Sequence, residues 1–241
     1  MPPKKEGVKK KKKATRPPHI PEALWELSQN LPKLQEFWSG EIKESKGKSA
    51  DKPVPNISRT QAGLFMVQLL YPNSKAAKEK REECIKLGVV ETCVKVMSSQ
   101  KAEDMVSAAG ILTVLIATYD QCRQIMLDSK PAIAPQLLTG FSSHESAPLR
   151  AALCGLMRAI VMKDDSRPRL WRQLREWDWT PLVACLRLQD VSQLGGRNAA
   201  HDLLAALELL CCAPAGDAGT IACNHIVASG GLQVGGGGGS A

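Results

Sequence analysis

The stretch MSSQKAEDMVSAAGILTVLIA (97–117) decides the fold, because the chain repeats its pattern 44 residues later as FSSHESAPLRAALCGLMRAIV (141–161). A Ser-Ser pair opens both stretches, and the apolar residues that follow have the three- and four-residue spacing of one helix face. The coinciding positions are Ser98 with Ser142, Ser99 with Ser143, Met105 with Leu149, Leu112 with Leu156 and Ile116 with Ile160. This coincidence predicts a structural unit that recurs along the chain.

The repetition continues on both sides of these two stretches. At the same offset GVVETCVKVMSS (88–99) aligns with AIAPQLLTGFSS (132–143), and weaker copies occur in QAGLFMVQLL (61–70) and HDLLAALELL (201–210). No segment alternates apolar and polar residues as a strand does, and aromatic residues make up only 4% of the chain. A period of about 44 to 51 residues with two or three helices per unit is typical of an α-solenoid.

The residue order within the unit resembles that of armadillo repeats. A central helix carries Ala-Ala-x-x-Leu-x-x-Leu and is followed by a polar break, a further helix and a closing Ser-Ser. QCRQIMLDSKPAIAPQLLTGFSS (121–143), KREECIKLGVVETCVKVMSS (80–99) and ACNHIVASGGL (222–232) look like such repeats, in about four units over residues 58–234. The resemblance implies an all-α fold, a right-handed armadillo- or HEAT-like helical solenoid with a disordered basic N-terminal arm.

The armadillo resemblance also implies a partner-binding groove, which a ladder of third helices lines in that family. Counted in the repeat frame, the exposed groove positions are Lys95, Thr139 and Arg187. Their apolar neighbours, expected to pack inward, are Val94, Leu138 and Leu186. The alternative for each exposed position is an ordinary solvated side chain.

Composition divides the chain into five segments. They are a disordered Lys-rich arm (1–18), short N-terminal helices (19–43), a charged linker (44–57), the armadillo-like repeats (58–234) and a Gly-rich tail (235–241). The last repeat is incomplete, because it runs into five consecutive glycines, which cannot continue a helix. We expect that a partner or another subunit covers its apolar edge, or that the sequence is truncated.

The N-terminal arm carries almost all of the net charge of +8. Its basic residues are Lys4, Lys5, Lys9, Lys10, Lys11, Lys12, Lys13 and Arg16, and its one acidic residue is Glu6. The body that follows therefore has a net charge of only about +1, without the basic excess of a folded nucleic-acid-binding domain. We expect the arm to contact an acidic surface and the body to provide the specificity.

Three tryptophans cluster in LWRQLREWDWTPLVACL (170–186), namely Trp171, Trp177 and Trp179. One interpretation is that the indoles fill a wide gap between two repeats. The other is that they include a partly exposed anchor for a partner, because tryptophan is enriched among interface hot spots.

The remaining chemistry-bearing residues argue against an enzyme. The eight cysteines form no CxxC pair, which favours buried free thiols in a reducing compartment. The four histidines have no metal-ligand spacing, and no nucleophile motif or carboxylate pair stands on a suitable scaffold. We therefore expect no catalytic residue, no cofactor and no metal. The longest apolar stretch, AAGILTVLIA (108–117), is about half of a bilayer span, so we expect no membrane partner.

These features favour a non-enzymatic scaffold that joins other proteins in a multi-subunit assembly. A lysine run after MPPKK, joined to a small solenoid, resembles structural proteins of ciliary and flagellar axonemes, which implies a cytoplasmic, cytoskeletal location and an acidic microtubule surface as partner. The alternative is a nuclear or RNA-associated adaptor whose lysine run serves localisation or nucleic-acid tethering.

Overall fold

The computed structural model describes residues 16, 20–40, 58–99, 101–143, 146–174, 178–185 and 195–211, and over these ranges the chain is helical without a strand. The helices are α1 (Glu22–Ser28), α2 (Leu31–Ser39), α3 (Arg59–Leu70), α4 (Lys75–Lys86), α5 (Val89–Met97), α6 (Ala102–Thr118), α7 (Asp120–Asp128), α8 (Ile133–Ser143), α9 (Ala147–Val161), α10 (Arg167–Leu174), α11 (Thr180–Ala184) and α12 (Arg197–Cys211). The all-α prediction is thereby confirmed for these residues.

Short polar residues at the breaks begin several of the helices. The side chains of Asn30, Ser74 and Ser146 accept hydrogen bonds from backbone N–H groups in the first turns of α2, α4 and α9. Ser58 does the same for α3 and forms a full capping box with Gln61. These caps satisfy N–H groups that a helix leaves without an internal partner, so the polar breaks fix where the helices start.

Helices α3, α6, α9 and α12, which we call the long helices although α4 equals α3 in length, pack one against the next in chain order. Leu112 and Leu156, which coincide in the repeat alignment, are both fully buried in the shared apolar core. Helix α5 packs against α6, α8 packs against α9, and α11 packs against α8. Val94 and Leu138 are buried as predicted, and Leu186 lies outside the described residues. The repeat offset therefore identified equivalent core positions.

An arginine closes the C-terminal end of each of the first three long helices, a feature that the sequence did not reveal. The bonds run from Arg81 Nη1 to Leu70 O (2.6 Å), from Arg123 Nη2 to Ile116 O (2.5 Å) and from Arg167 Nε to Val161 O (2.7 Å). A cation at this end satisfies carbonyl groups without helical partners and opposes the negative end of the helix dipole. Arg123 and Arg167 are again 44 residues apart, so this arginine contact recurs at the same offset as the sequence pattern.

Several predicted segments lie outside the described residues. They are residues 1–15 of the basic arm, the linker 44–57, the fourth repeat segment 222–232 and the tail 235–241. The short N-terminal helices predicted within 19–43 correspond to α1 and α2. Arg16 is exposed and donates from Nη1 to Ile20 O at 2.6 Å.

Candidate interaction surface along α5, α8 and α11

Three surface pockets follow one another along α5, α8 and α11, and we call them the pocket row. The N-terminal pocket has a volume of about 210 Å³ and lies between the end of α2, the start of α3 and one side of α5. Its lining residues are Ser39, Arg59, Thr92, Lys95, Val96 and Ser99. Two of these side chains are cationic and none is acidic, which gives this pocket a positive character.

The central pocket lies between the end of α5, the start of α6 and α8, with a volume of about 170 Å³. Its lining residues are Met97, Ser98, Met105, Pro135, Gln136 and Thr139. No charged side chain is among them. Two methionines and a proline make its wall mainly apolar, and three polar side chains supply hydrogen-bonding groups.

The C-terminal pocket lies between the end of α8, the start of α9 and α11, with a volume of about 320 Å³. Its lining residues are Phe141, Ser142, Arg150, Asp178, Thr180, Pro181, Ala184 and Cys185. Asp178 is exposed and accepts a hydrogen bond from the backbone N–H of Thr180 at 2.8 Å. Hydrogen bonds from Thr180 lower the pKa of the Asp178 carboxyl group, which keeps it charged.

The three pockets share one construction. Each lies where one of the helices α2, α5 and α8 ends, the following helix begins, and the helix three places further along the chain passes alongside. Successive pockets share a helix, α5 for the first two and α8 for the last two. The same three kinds of helix contact therefore recur at each pocket.

Two of the three predicted groove positions lie in this row. Lys95 is exposed in the N-terminal pocket, and Thr139 is exposed in the central one. Arg187 lies outside the described residues. Sequence reasoning missed Arg59 and Gln136, because a charged residue at a helix start and a glutamine in an apolar helix carry no distinctive signal.

Arg59 and Lys95 differ in how firmly they are held. Arg59 donates from Nε to Trp38 O at 2.9 Å and from Nη2 to Ser39 O at 3.0 Å, which fixes its guanidinium at the end of α2. Lys95 makes no ion pair with any residue of the described ranges. The N-terminal pocket thus combines one positioned cation with one solvated cation.

Gln136 has an unsatisfied acceptor in the central pocket. Its side chain is 8% exposed, and Nε2 donates to Ala132 O at 3.2 Å, while Oε1 is buried without a hydrogen-bond partner. The bond to a carbonyl oxygen fixes which end of the amide is the nitrogen. Burying an acceptor without a donor is unfavourable, so this oxygen differs from the other polar groups of the central pocket.

The tryptophan cluster is internal where the structure describes it. Trp171 and Trp179 are 6% and 1% exposed, with ring centroids 5.4 Å apart and tilted by 60°. Trp179 Nε1 donates to Leu174 O at 3.1 Å. The partner-binding role considered for these two residues is thus not supported, because buried rings present no surface to a partner. Trp177 lies outside the described residues.

The described cysteines are free thiols, and most are buried. Cys84, Cys93, Cys122, Cys154 and Cys185 are buried, and Cys211 is partly exposed. Burial raises the pKa of the thiols of Cys84 and Cys154 from 9.0 to about 12. Their thiolates are disfavoured in the folded state, which makes them poor nucleophiles and poor metal ligands.

We expect the free energy of unfolding to fall with pH above about 9 under reducing conditions. The unfolded chain ionises its thiols near pH 9.0, whereas Cys84 and Cys154 stay protonated in the folded state up to about pH 12. Their contribution is therefore fully present below pH 9 and is lost between pH 9 and 12, by at most about 1.4 kcal/mol per pH unit for each thiol. Urea unfolding at a series of pH values measures this slope, and Cys154→Ala should make it shallower. If Cys154→Ala leaves the slope unchanged, the raised pKa of the Cys154 thiol is contradicted.

Neither a metal-binding group of side chains nor a membrane-spanning helix is found within the described ranges. No three histidine, cysteine, aspartate or glutamate side chains gather there in a way that could hold a metal ion. None of the helices in these ranges combines the length and the apolar character needed to cross a bilayer.

Comparisons with known proteins leave the family open. No protein-family model matches the chain, and no curated protein matches it. Among solved structures, a crystal structure of an engineered protein is similar to this chain, with 16% identity and a TM-score of 0.49 over 85% of this chain and 86% of that one. A similarity at this level shows neither a shared fold nor a shared function.

Proposed function

We propose that the chain is a non-enzymatic scaffold whose helices form an armadillo-like solenoid, and that it binds other proteins of a larger assembly through the pocket row. The observation that carries this proposal is the recurrence of one pocket construction three times along α5, α8 and α11. A repeating surface suits an extended or repeating partner better than a single small molecule, whose site is one concave cavity.

The packing order of the helices supports the solenoid. The long helices contact their successors in chain order. The arginine that closes each of the first three recurs as well, in Arg81, Arg123 and Arg167. In a solenoid each repeat contacts only its neighbours, and both features follow that rule.

Polar contacts between α7 and the chain around α10 support regular stacking of two successive units. Gln124 donates to Asp165 at 2.8 Å, Lys163 pairs with Asp120 at 3.8 Å, and Arg169 pairs with Asp128. These contacts join residues 41 to 43 positions apart, close to one repeat. None of these six residues lines the pocket row.

The assembly itself is a hypothesis that rests on the sequence. The lysine run is the reason to propose an acidic partner surface, with the microtubule of an axoneme as the leading candidate and RNA in the nucleus as the alternative. Most of that arm lies outside the described residues. Binding by the arm should weaken steeply with salt, whereas binding by the pocket row should depend less on salt.

Two substitutions in the pocket row test the proposal. We expect Lys95→Glu combined with Thr139→Arg to reduce the recovery of specific partner proteins at least fivefold in a quantitative pull-down from lysate of the source cells. Both side chains are exposed, so the fold should stay intact while the charge and shape of two pockets change. Circular dichroism and the urea midpoint verify the fold.

Lys75→Glu is the matched control, because Lys75 is exposed on α4 and lines none of the three pockets. It should leave recovery unchanged. Deletion of residues 1–16 in the same assay distinguishes binding by the arm from binding by the pocket row. The deletion should abolish only the salt-sensitive binding to microtubules or RNA. Equal recovery with the double variant and with the wild type would overturn the proposed role of the pocket row.

A further inference from the structure

We propose that the central pocket is a binding site for a small, uncharged ring compound that donates one hydrogen bond to Gln136 through an N–H or O–H group. Such a site goes beyond the proposed function, because its occupant is a small molecule and needs no partner protein.

The side chain of Gln136 determines that the ligand is a hydrogen-bond donor. Nε2 already donates to Ala132 O at 3.2 Å, and this bond fixes which end of the amide is the oxygen. Oε1 is buried without a hydrogen-bond partner, in a residue that is 8% exposed. An acceptor that is shielded from water and unpaired gains more from a donor than an acceptor that is already hydrated. A ligand that only accepts hydrogen bonds leaves this oxygen unpaired.

The other lining residues determine that the ligand is uncharged and mainly apolar. The apolar part of the wall consists of Met97, Met105 and Pro135, and its hydroxyl groups belong to Ser98 and Thr139. No charged side chain of the described residues lines this pocket. A charged ligand would therefore lose its hydration without gaining an ion pair, whereas an apolar ring gains free energy by leaving water.

The volume of the pocket limits the size of the ligand. This volume is about 170 Å³, which equals that of about six water molecules in the liquid. Drug-sized ligands occupy larger cavities, of about 300–1,000 Å³. The pocket therefore suits one ring or two fused rings, and we expect a dissociation constant of about 0.1–1 mM for such a compound.

Access to the oxygen of Gln136 requires a movement in the wall, because Oε1 is buried and Met97 and Met105 are each only 1% exposed. Methionine is unbranched, has three rotatable bonds and adapts its shape to a neighbour. Rotation of a methionine side chain is therefore the movement that we expect on binding. Thr139 is exposed, which places its side chain at the mouth of the pocket.

Titration of the full chain with indole and with benzofuran tests the inference, with ligand-observed NMR and proton–nitrogen correlation spectra as readouts. The two compounds have nearly the same shape, and only indole has an N–H donor. We expect indole to bind about fivefold more tightly than benzofuran. Indole should also shift the side-chain amide signal of Gln136, which is identified by its absence from the spectrum of Gln136→Leu.

Three variants locate the binding. Gln136→Leu should remove the preference for indole, because leucine offers no acceptor. Thr139→Arg should abolish detectable binding of both compounds by filling the mouth of the pocket. It changes an exposed residue, so it reports on the pocket even where Gln136→Leu disturbs the fold. Gln68→Leu is the matched control, because Gln68 is exposed on α3 and lines none of the three pockets. It should leave both affinities unchanged.

Equal affinity of the wild type for indole and benzofuran would overturn the inference, and so would no detectable binding of indole at millimolar concentration. A preference for indole that persists in Gln136→Leu, or unchanged binding to Thr139→Arg, would place the compound elsewhere and overturn it as well. These outcomes are distinct from failure of the proposed function, because the pull-down of partner proteins contains no added small molecule and can succeed when indole does not bind.

Discussion

Replacing Arg123 by methionine is expected to lower the free energy of unfolding by about 1–3 kcal/mol, because the carbonyl group of Ile116 loses its donor. Arg123 is 2% exposed, and its Nη2 donates to Ile116 O at the end of α6, while Nη1 donates to Asp120 Oδ1 at 2.5 Å. Methionine retains most of the aliphatic volume and removes every donor. The loss therefore reports the charged hydrogen bonds at the helix end, and urea unfolding followed by circular dichroism measures it.

Arg172→Met is the matched control for this experiment. Arg172 is exposed on α10, although it also donates to a backbone carbonyl, Pro168 O at 3.3 Å. Surface substitutions usually change stability by less than about 0.5 kcal/mol, and we expect that range here. Equal losses in the two variants would show that burial of the arginine at the end of the long helix does not matter.

Replacing Gly63 by alanine is expected to destabilise the protein by about 2 kcal/mol, although alanine is the better helix former. A Cβ atom at Gly63 would lie 2.4 Å from Trp38 Nε1 and 2.5 Å from Ser107 Cβ. Trp38 is fully buried, and its Nε1 donates to Ser107 Oγ at 3.0 Å. Either α3 would have to move away from α2 and α6, or Trp38 and Ser107 would have to shift and weaken this bond.

Gly155→Ala should have the opposite sign. Gly155 lies inside α9, and the nearest neighbouring atom to an added Cβ is Asp202 Oδ2 at 3.8 Å, an ordinary contact. The substitution should stabilise the protein by about 0.5–1 kcal/mol through the lower entropy of the unfolded chain. Thermal unfolding of both variants gives the comparison, and stabilisation by Gly63→Ala would contradict the close packing of α3.

Local signals in the sequence were sufficient for the helices and for much of the core. The Ser-Ser breaks and the apolar spacing around Leu112 and Leu156 follow from the period of the α-helix, which operates within one segment. The armadillo resemblance, counted in the 44-residue frame, also predicted Val94 and Leu138 as buried and Lys95 and Thr139 as exposed, and the structure places them so.

Contacts between distant residues account for what the sequence did not reveal. From the sequence, Arg123 looks like a surface charge on a polar helix. In the structure it is buried, because it donates to Ile116 O at the end of α6. Gln136 looks like an ordinary helical residue until its neighbours leave Oε1 without a donor. The cluster of Trp171 and Trp179 was compatible with a core or an interface, and only the packing of α10 and α11 against α8 decided for the core.

The sequence by itself determined that the described part of the chain is helical, that a sequence pattern recurs at about 44 residues and that the net positive charge is concentrated in the first sixteen residues, because these properties depend on residue order alone. Only the tertiary structure decided which cations lie in the core and which side chains line the pocket row. That decision depends on how the end of one helix meets the start of the next. Such a junction brings together residues far apart in the chain, and no local pattern records it.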